Sequence, residues 1–393
     1  MDFELTDEEK EFKDLAARVI SDKLKPVYLQ LDEEEKFPSD FLKEFGNLGF
    51  MGIFIQEEYG GLGKGVSELV LVAEEIAKVC LGAASSYGAV ALGTLPILLS
   101  GTEEQKRKYL AKIASGEALA AFAITESGAG SDVMAMKTKA VRDGNFYILN
   151  GEKQFITNAG QADIYVVFAV TNPVANPRGI AAARRLSGFI LEKGMEGFSL
   201  GKKERKMGIR ASETRSLIFD NCKVPAENLL GGKEGLGAIT ILNTLNRSRI
   251  VVGALGVGCA EGALGQAVSY SKERIQFGQS ISNFQAIQHK LAEMAVRVET
   301  ARLLVRKAAW LADRAEIDKD ILAKFGAMAK LFSANAAWAN ADDAVQILAG
   351  YGFVEDHGAA KRLRDSRILR IYEGTDEIQK NEIAHILIKE RAK

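Results

Sequence analysis

The sequence predicts a multidomain protein, mainly α-helical with a central β domain, and three observations carry that reading. Capped helical periodicity fills positions 1–120, short apolar runs between turn dipeptides fill 121–232, and helical spacing returns over 233–393. With 393 residues, 47% of them hydrophobic, the chain can bury cores for two or three domains.

Thr6 and Glu9 form a capping box, after which Phe12, Leu15 and Val19 follow at helical spacing. Pro38 and Ser39 open another helix that Gly46 or Gly49 can close. Thr102 and Gln105 repeat the box before a charged helix that Gly116 can end. Past Ala121 the runs NFYILN, KQFIT, DIYVVFAV and RSLIFD read as strands, and Asp143-Gly144 and Asn150-Gly151 are hairpin-turn signals. Thr171 to Leu186, with two prolines, reads as a long exposed loop. Farther on, Ile287, Leu291, Met294, Val298, Ala301 and Val305 alternate three and four apart behind Asn283 as the expected cap, a stripe suited to a helix bundle.

Lys and Arg total 51 against 52 Asp and Glu, a net charge of -1, so no global field draws nucleic acid or an anionic membrane. Three cysteines, Cys80, Cys222 and Cys259, lack CxxC spacing, which fits a reducing compartment better than secretion. The N-terminus shows no targeting pattern, so a cytoplasmic location is expected, or the mitochondrial matrix if a transit peptide has been removed. Apolar runs such as Val251 to Ala260 are glycine-interrupted and shorter than the roughly 20 residues a span needs, so membrane insertion is not expected.

The 38 glycines invite nucleotide-loop readings that fail on context. GAGSDV at Gly128 lacks the third glycine of a dinucleotide fingerprint, GVGCAE at Gly256 sits inside a helical pattern, and GLGKGV at Gly61 lacks the hydroxyl residue of a P-loop. Glu382 and His385 form a single Glu-x-x-His, too few ligands for a bundle metal site, and His289, His357 and His385 read as partly exposed helical residues.

Chemistry concentrates in two places. AFAITESGAGSD, Ala121 to Asp132, is an apolar strand breaking into hydroxyls, a carboxylate and glycines; it can cradle a phosphate or polar ring, or simply end a strand in a flexible loop. RILRIYEGTDEIQKNEIA, Arg367 to Ala384, sets Glu373-Gly374-Thr375 between apolar stretches, behind Lys361, Arg362, Arg364, Arg367 and Arg370. Burial there could raise the carboxylate's proton affinity, or the segment is an ordinary interhelical turn with a solvated basic face.

Those segments, with NGEKQFITNAG, KMGIRASETRSLIFDNCKVPAENLLG, SKERIQFGQSISNFQAIQHKLAEM and DDAVQILAGYGF, resemble the acyl-CoA dehydrogenases in the right order over nearly the whole chain. The resemblance implies an N-terminal helical domain, a middle β-barrel, a C-terminal four-helix bundle, and FAD between the last two with a neighbouring subunit completing its pocket. It implies that Phe122, Ile124, Thr125, Gly130 and Ser131 border the flavin, and that Phe155, Ile156 and Thr157 flank its ring system. Arg274, Gln276, Phe277 and Gln285, with the stretch from Gln346 through Ile347 to Gly350, would hold the ADP portion across a subunit boundary, and Thr375 and Glu377 would touch the same cofactor.

The implied reaction is α,β-dehydrogenation of an acyl-CoA, with Glu373 as the base and the oxyanion held by that residue's own N–H and a cofactor hydroxyl. Some branches of the family place the base just before an arginine matching Arg249; here that position is Ser248. Ser131, Asn246, Arg249, Tyr372 and Gly374 would meet the substrate, Asn246 standing where an aspartate is common. Ser127 replaces a usual proline, which questions the rigidity of its turn. Ala83 to Leu95 would line the acyl pocket, with Tyr87 able to cap it and Ala83 lacking the charge a dicarboxylic acyl group needs. Implied partners are an electron-transferring flavoprotein and three further copies of the chain, a dimer of dimers. An acyl-CoA oxidase and a non-catalytic scaffold protein are the alternatives.

Overall fold

Both capping boxes form. Thr6 Oγ1 accepts from the Glu9 N–H at 3.2 Å while the Glu9 carboxylate accepts from the Thr6 N–H at 2.7 Å, and Thr102 and Gln105 repeat the exchange at 3.3 and 3.1 Å. The computed structural model describes residues 4–173, 179–314 and 316–391. Its N-terminal helices are α1 (Asp7–Val19), α2 (Tyr28–Glu33), α3 (Ser39–Asn47), α4 (Val66–Val79), α5 (Leu81–Ser100) and α6 (Glu103–Ala114). Gly49, at φ 81°, follows the end of α3. Gly46 lies inside α3 and permits a crossing instead: a Cβ there would stand 2.7 Å from the Gly116 Cα.

The middle region is a curled seven-stranded sheet wrapped around its own core of Tyr147, Leu149, Ile156, Phe189 and Leu217. Its strands are β1 (Ala120–Ala123), β2 (Lys139–Asp143), β3 (Phe146–Thr157), β4 (Ile164–Val170), β5 (Leu186–Glu192), β6 (Phe198–Lys203) and β7 (Thr214–Pro225). Asp143-Gly144 makes the expected hairpin between β2 and β3. Asn150-Gly151 does not turn. There β3 runs on to Thr157, and its register against β7 slips between Leu149 and Gly151. The backbone freedom that suits glycine to a turn also suits it to a bulge, and β7 supplies the pairing that keeps the strand extended.

The expected loop from Thr171 to Leu186 is also corrected. The Ala-rich segment Gly179–Arg184 is a short helix, α7, and Leu186 already opens β5, while 174–178 fall outside the described residues. Alanine's helix propensity outweighs the nearby prolines once they are passed.

The C-terminal region contains α8 (Gly237–Glu273), the ribbon β8 (Ile275–Gln276) and β9 (Gln279–Ser280), α9 (Gln285–Ala312), α10 (Lys319–Leu348), α11 (Gly350–Phe353), α12 (Ala359–Ser366) and α13 (Asp376–Arg391). Helices α8, α9, α10 and α13 form the bundle, with α10 touching the other three. Met294, Val298, Ala301 and Val305 are buried as expected, with Ile287 and Leu291 half-buried beside them. Asn283 does not cap α9; it closes a 3-10 turn, and Phe284 occupies the boundary.

Glycines do not interrupt α8 either. Leu81–Ser100 and Gly237–Glu273 are long and apolar enough to cross a membrane, against the sequence expectation, but 83% and 72% of their most apolar windows are buried inside the protein. The glycines of α8 serve crossings: a Cβ on Gly258 would lie 2.2 Å from the Glu74 carbonyl oxygen of α4. The basic segment before Glu373 is not a free cationic face. Lys361 is buried against Asp365 and Asp32, Arg364 pairs with Asp32 at 2.8 Å and Glu355 at 2.7 Å, and Arg370 pairs with Asp376 at 2.7 Å.

Candidate active site

The loop between α12 and α13 presents Glu373 through two successive left-handed residues, Glu373 at φ 54° and Gly374 at φ 94°. The second is natural for glycine; the first is strained for a side chain. Three hydrogen bonds from two side chains hold that backbone. The Gln379 amide reaches the Glu373 and Gly374 carbonyls at 3.0 and 3.1 Å, and Lys330 Nζ reaches the Gly374 carbonyl at 2.6 Å. Thr375 then starts α13, its hydroxyl accepting from the Ile378 N–H at 3.3 Å.

The Glu373 carboxylate accepts a 2.6 Å hydrogen bond from Ser248 of α8. It keeps a partly exposed surface, yet the protein around it is dense enough that desolvation raises its pKa above the ordinary glutamate value. Ser248, Arg249 and Lys330 all oppose that rise without reversing it. The result is a carboxylate of increased basicity held at a fixed point, which suits proton abstraction from a weak carbon acid.

Arg249 is 5% exposed, and its Nε and Nη1 have no partner among the described residues. A buried guanidinium with open donors is costly unless a ligand completes it. Asn246 lies three positions earlier on the same helix, half-buried. Tyr372 turns toward α5, its hydroxyl 3.4 Å from Ser85 Oγ.

Opposite the bundle, β1 ends in a turn that is well braced. The backbones of Glu126 and Ala129 hydrogen-bond reciprocally at 3.1 Å, and the Glu126 carboxylate accepts from the N–H groups of Lys137 at 2.6 Å and Thr138 at 3.0 Å. Fully buried Lys153 reaches Glu126 at 2.8 Å and the Ile124 carbonyl at 3.1 Å. Serine at 127 therefore leaves the turn held by other means. Gly128 and Gly130 face open space, with nothing within 4 Å of an added Cβ, and Ser131 is exposed beside them. This is a cradle a phosphate or ring can approach. Phe122 and Ile124 are buried beneath it, Phe122 packing on Phe168, so they shape its floor; Thr125 is half-buried.

On β3 a second slip places Phe155 at φ 60° with 58% of its surface exposed, next to half-buried Thr157. Ile156 is placed differently from its two neighbours. Its side chain is buried in the core of the β domain, leaving only its backbone for a ligand, because alternate strand residues face opposite ways.

A separate open groove of about 670 Å³ is lined by Arg274, Gln276, Ile347 and Gly350, together with Tyr270 and Tyr351. Gln285 and Gln346 are exposed nearby, and Phe277 is 92% exposed. Arg274 follows the far end of α8, on the order of 35–40 Å along the axis from Arg249 at 1.5 Å per residue. One chain therefore does not bring the Arg274 group to the Glu373 group. Thr375 and Glu377 sit on the Glu373 side, half-buried and exposed respectively.

Sequence reasoning missed the contacts of Ser248, Lys330 and Lys153. A lysine amid the small apolar residues of AMAKLFSANAA is a visible anomaly, but nothing local names the carbonyl it meets.

The fold and this site define a flavin-dependent oxidoreductase of acyl thioesters, and three family models agree: the acyl-CoA dehydrogenase N-terminal domain over 6–117, middle domain over 121–222 and C-terminal domain over 235–388. The chain belongs to the acyl-CoA dehydrogenase family. It is 42% identical to the short-chain-specific acyl-CoA dehydrogenase of Clostridium acetobutylicum over 97% of this chain and 98% of that one. It is 43% identical to the NADH-linked acryloyl-CoA reductase of Anaerotignum propionicum over 99% and 96%. A chain solved in work on the electron-transferring flavoprotein of Acidaminococcus fermentans superposes with a TM-score of 0.94 at 44% identity, covering 99% of this chain and all of that one. An acyl-CoA dehydrogenase from Bacillus anthracis complexed with FAD matches at a TM-score of 0.90 and 36% identity, over 99% of this chain and 68% of that one. FAD is thus the cofactor of this fold, and the open cradle at Gly128 and Gly130 with exposed Phe155 fits it.

Proposed function

We propose that this protein dehydrogenates a short-chain acyl-CoA to its trans-2-enoyl product, with Glu373 removing the α-proton. The carrying observation is the Glu373 carboxylate itself: desolvated, fixed by Ser248, and next to an Arg249 whose N–H groups await a partner. FAD held at the Gly128–Gly130 cradle beside Phe155 would supply the acceptor for the β-hydride. The Glu373 N–H has no acceptor among the described residues and is available to the thioester oxygen as charge develops there. Arg249 supports the substrate's polar end or the loop, and Tyr372 and Gly374 border the channel.

The short-chain reading rests on the short-chain-specific Clostridium relative, and the packing of α5 accords with it. Tyr87 is 2% exposed, its hydroxyl donating to the Phe50 carbonyl at 2.9 Å and its ring edge-on to Phe45 at 5.9 Å. Tied at both ends, it would set a fixed deep limit to an acyl chain running along α5. Ala83 is fully buried and offers no cation to a distal carboxylate. Gly88 faces α8, where an added Cβ would stand 3.7 Å from Val251 and 3.9 Å from Leu255, so any larger side chain there would press on that helix.

Electron-transferring flavoprotein is proposed as the acceptor on the strength of the Acidaminococcus neighbour. A homotetramer is proposed because the Arg274 groove lies far from Glu373 within one chain and is flanked by exposed Phe277 and Phe353, surfaces that a second copy would cover. The acryloyl-CoA reductase relative favours one further reading, net flux toward saturation at the same site.

Anaerobic titration of the yellow holoprotein with acyl-CoAs of graded length tests the proposal. Bleaching by short straight chains supports it; no bleaching by any acyl-CoA with FAD bound refutes it. Recolouring of the reduced protein by an enoyl-CoA, faster than by electron-transferring flavoprotein, would favour the reductive direction.

A further inference from the structure

Lys330 is a buried cation that the proposed chemistry does not use. It lies on α10 with 0% exposure, packed beside Gly326, Ala327, Ala329 and Ala334. Its ammonium has three donors and one hydrogen-bond acceptor among the described residues, the Gly374 carbonyl at 2.6 Å. Asp376 is the carboxylate whose charge bears most on Lys330, but its Oδ2 takes the bonds from Arg370 at 2.7 Å and Asn335 at 3.2 Å, and no hydrogen bond or ion pair joins it to the Lys330 ammonium among the described residues. A desolvated ammonium so thinly satisfied costs stability relative to an apolar side chain of equal length. Packing alone does not explain its presence.

Its position does. The Gly374 carbonyl belongs to the second of the two left-handed residues that aim the Glu373 carboxylate, and Lys330 grips it from the bundle while Gln379 grips it from α13. We propose that Lys330 is a positioning residue for the reaction: it locks the Glu373–Gly374 turn from beneath and sets the charge environment in which the Glu373 carboxylate works.

This inference rests on the reading of Glu373 as the base. Helix α8 contributes Ser248 and Arg249, α10 contributes Lys330, the loop itself contributes Tyr372, and α13 contributes Glu382, which faces Arg249, with Asp376 and Glu377 facing Lys330. Lys330 and Arg249 are the cations that hold the Glu373 pKa down against burial. Burial pushes Lys330 itself down to about 8, so it is largely charged at neutral pH and sheds that charge in mild alkali.

The test compares Lys330→Met with the parent holoenzyme by anaerobic stopped flow. Expected are acyl-CoA affinity within about twofold, flavin reduction slowed by at least about tenfold through misplacement of the base, and an acid limb of the rate profile moved to higher pH. In the Glu373→Gln background the same substitution should add no further loss, because the two act as one unit. Gln379→Met releases the turn without removing charge and should slow reduction with the limb unmoved, which keeps the idea testable if Lys330→Met does not fold.

A Lys330→Met enzyme with parental rate and parental pH profile overturns the proposal even if Glu373→Gln is inactive. Equal losses in affinity and rate, with an unmoved acid limb, also overturn it. An active Glu373→Gln enzyme would instead remove the base assignment on which it stands.

Discussion

The hydroxyl of Ser248 donates a 2.6 Å hydrogen bond to Oε2 of Glu373, tying the long helix α8 to a loop 125 positions later. The bond stabilises the carboxylate and so opposes the upward shift that burial imposes. Removing it with Ser248→Ala should raise the Glu373 pKa further. A base works only when deprotonated, so the acid limb of flavin reduction should move to higher pH, while above the limb the rate should match or exceed the parent. Rates measured across pH check both halves of that expectation.

Glu373→Gln should keep FAD and still bind acyl-CoA while losing at least about 10²-fold in flavin reduction. A glutamate whose pKa is raised on folding holds its proton more tightly when folded, so its relative stability contribution is full below the unfolded value and declines as pH rises through the folded one. The glutamine variant should therefore unfold at a higher temperature than the parent near neutral pH. That advantage should vanish as pH falls below the ordinary glutamate value.

Tyr87→Ala removes the buried ring proposed to limit the acyl chain. Its kcat/KM should shift toward longer acyl-CoAs, with short-chain turnover reduced. Tyr87→Phe, which loses only the hydrogen bond to Phe50, should retain the chain-length preference at a stability cost of about 1 kcal/mol. Comparison of the two profiles separates ring volume from hydroxyl.

Lys153→Met strands Glu126 beneath the flavin-facing turn and should cost about 3 kcal/mol together with part of the FAD occupancy. Adding Glu126→Gln should restore much of the loss. The Lys153 pKa is depressed to about 8, so the folded state releases its proton before the unfolded state does. Parental stability relative to the single variant should consequently rise as pH goes from about 8 to the ordinary lysine value, a slope readable in denaturant midpoints.

Gly258→Ala tests the helix crossing. The added methyl would meet the Glu74 carbonyl, while the Glu74 side chain is held by Arg302 at 2.9 and 3.0 Å and resists displacement. A loss of about 1–3 kcal/mol in chemical unfolding is expected. Gly265→Ala on the same helix, with open space around it, should be close to neutral.

Local chemistry was legible wherever neighbouring residues decide it. The two capping boxes, the Asp143-Gly144 hairpin and the buried stripe of α9 each depend on side chains within a few positions of one another. Asn150-Gly151 misled because glycine's left-handed and extended freedom serves a turn and a bulge equally, and only the facing strand β7 selects between them. The membrane-length helices misled in the other direction, since glycines that look like interruptions are contact points once a second helix lies across them.

The sequence by itself determined the order of helical, β and helical regions, the carboxylate-glycine pair at Glu373-Gly374, and the motifs that mark the family. Those follow from periodicity and from residue types adjacent in the chain. Only the tertiary structure decided that Ser248 and Lys330 attend that loop, that Ile156 turns inward, and that the Arg274 groove stands apart from Glu373. Each of these is a contact, or the absence of one, between segments separated by tens to hundreds of residues, and it is the packing of α8 and α10 against the loop that brings a hydroxyl and an ammonium to one glutamate.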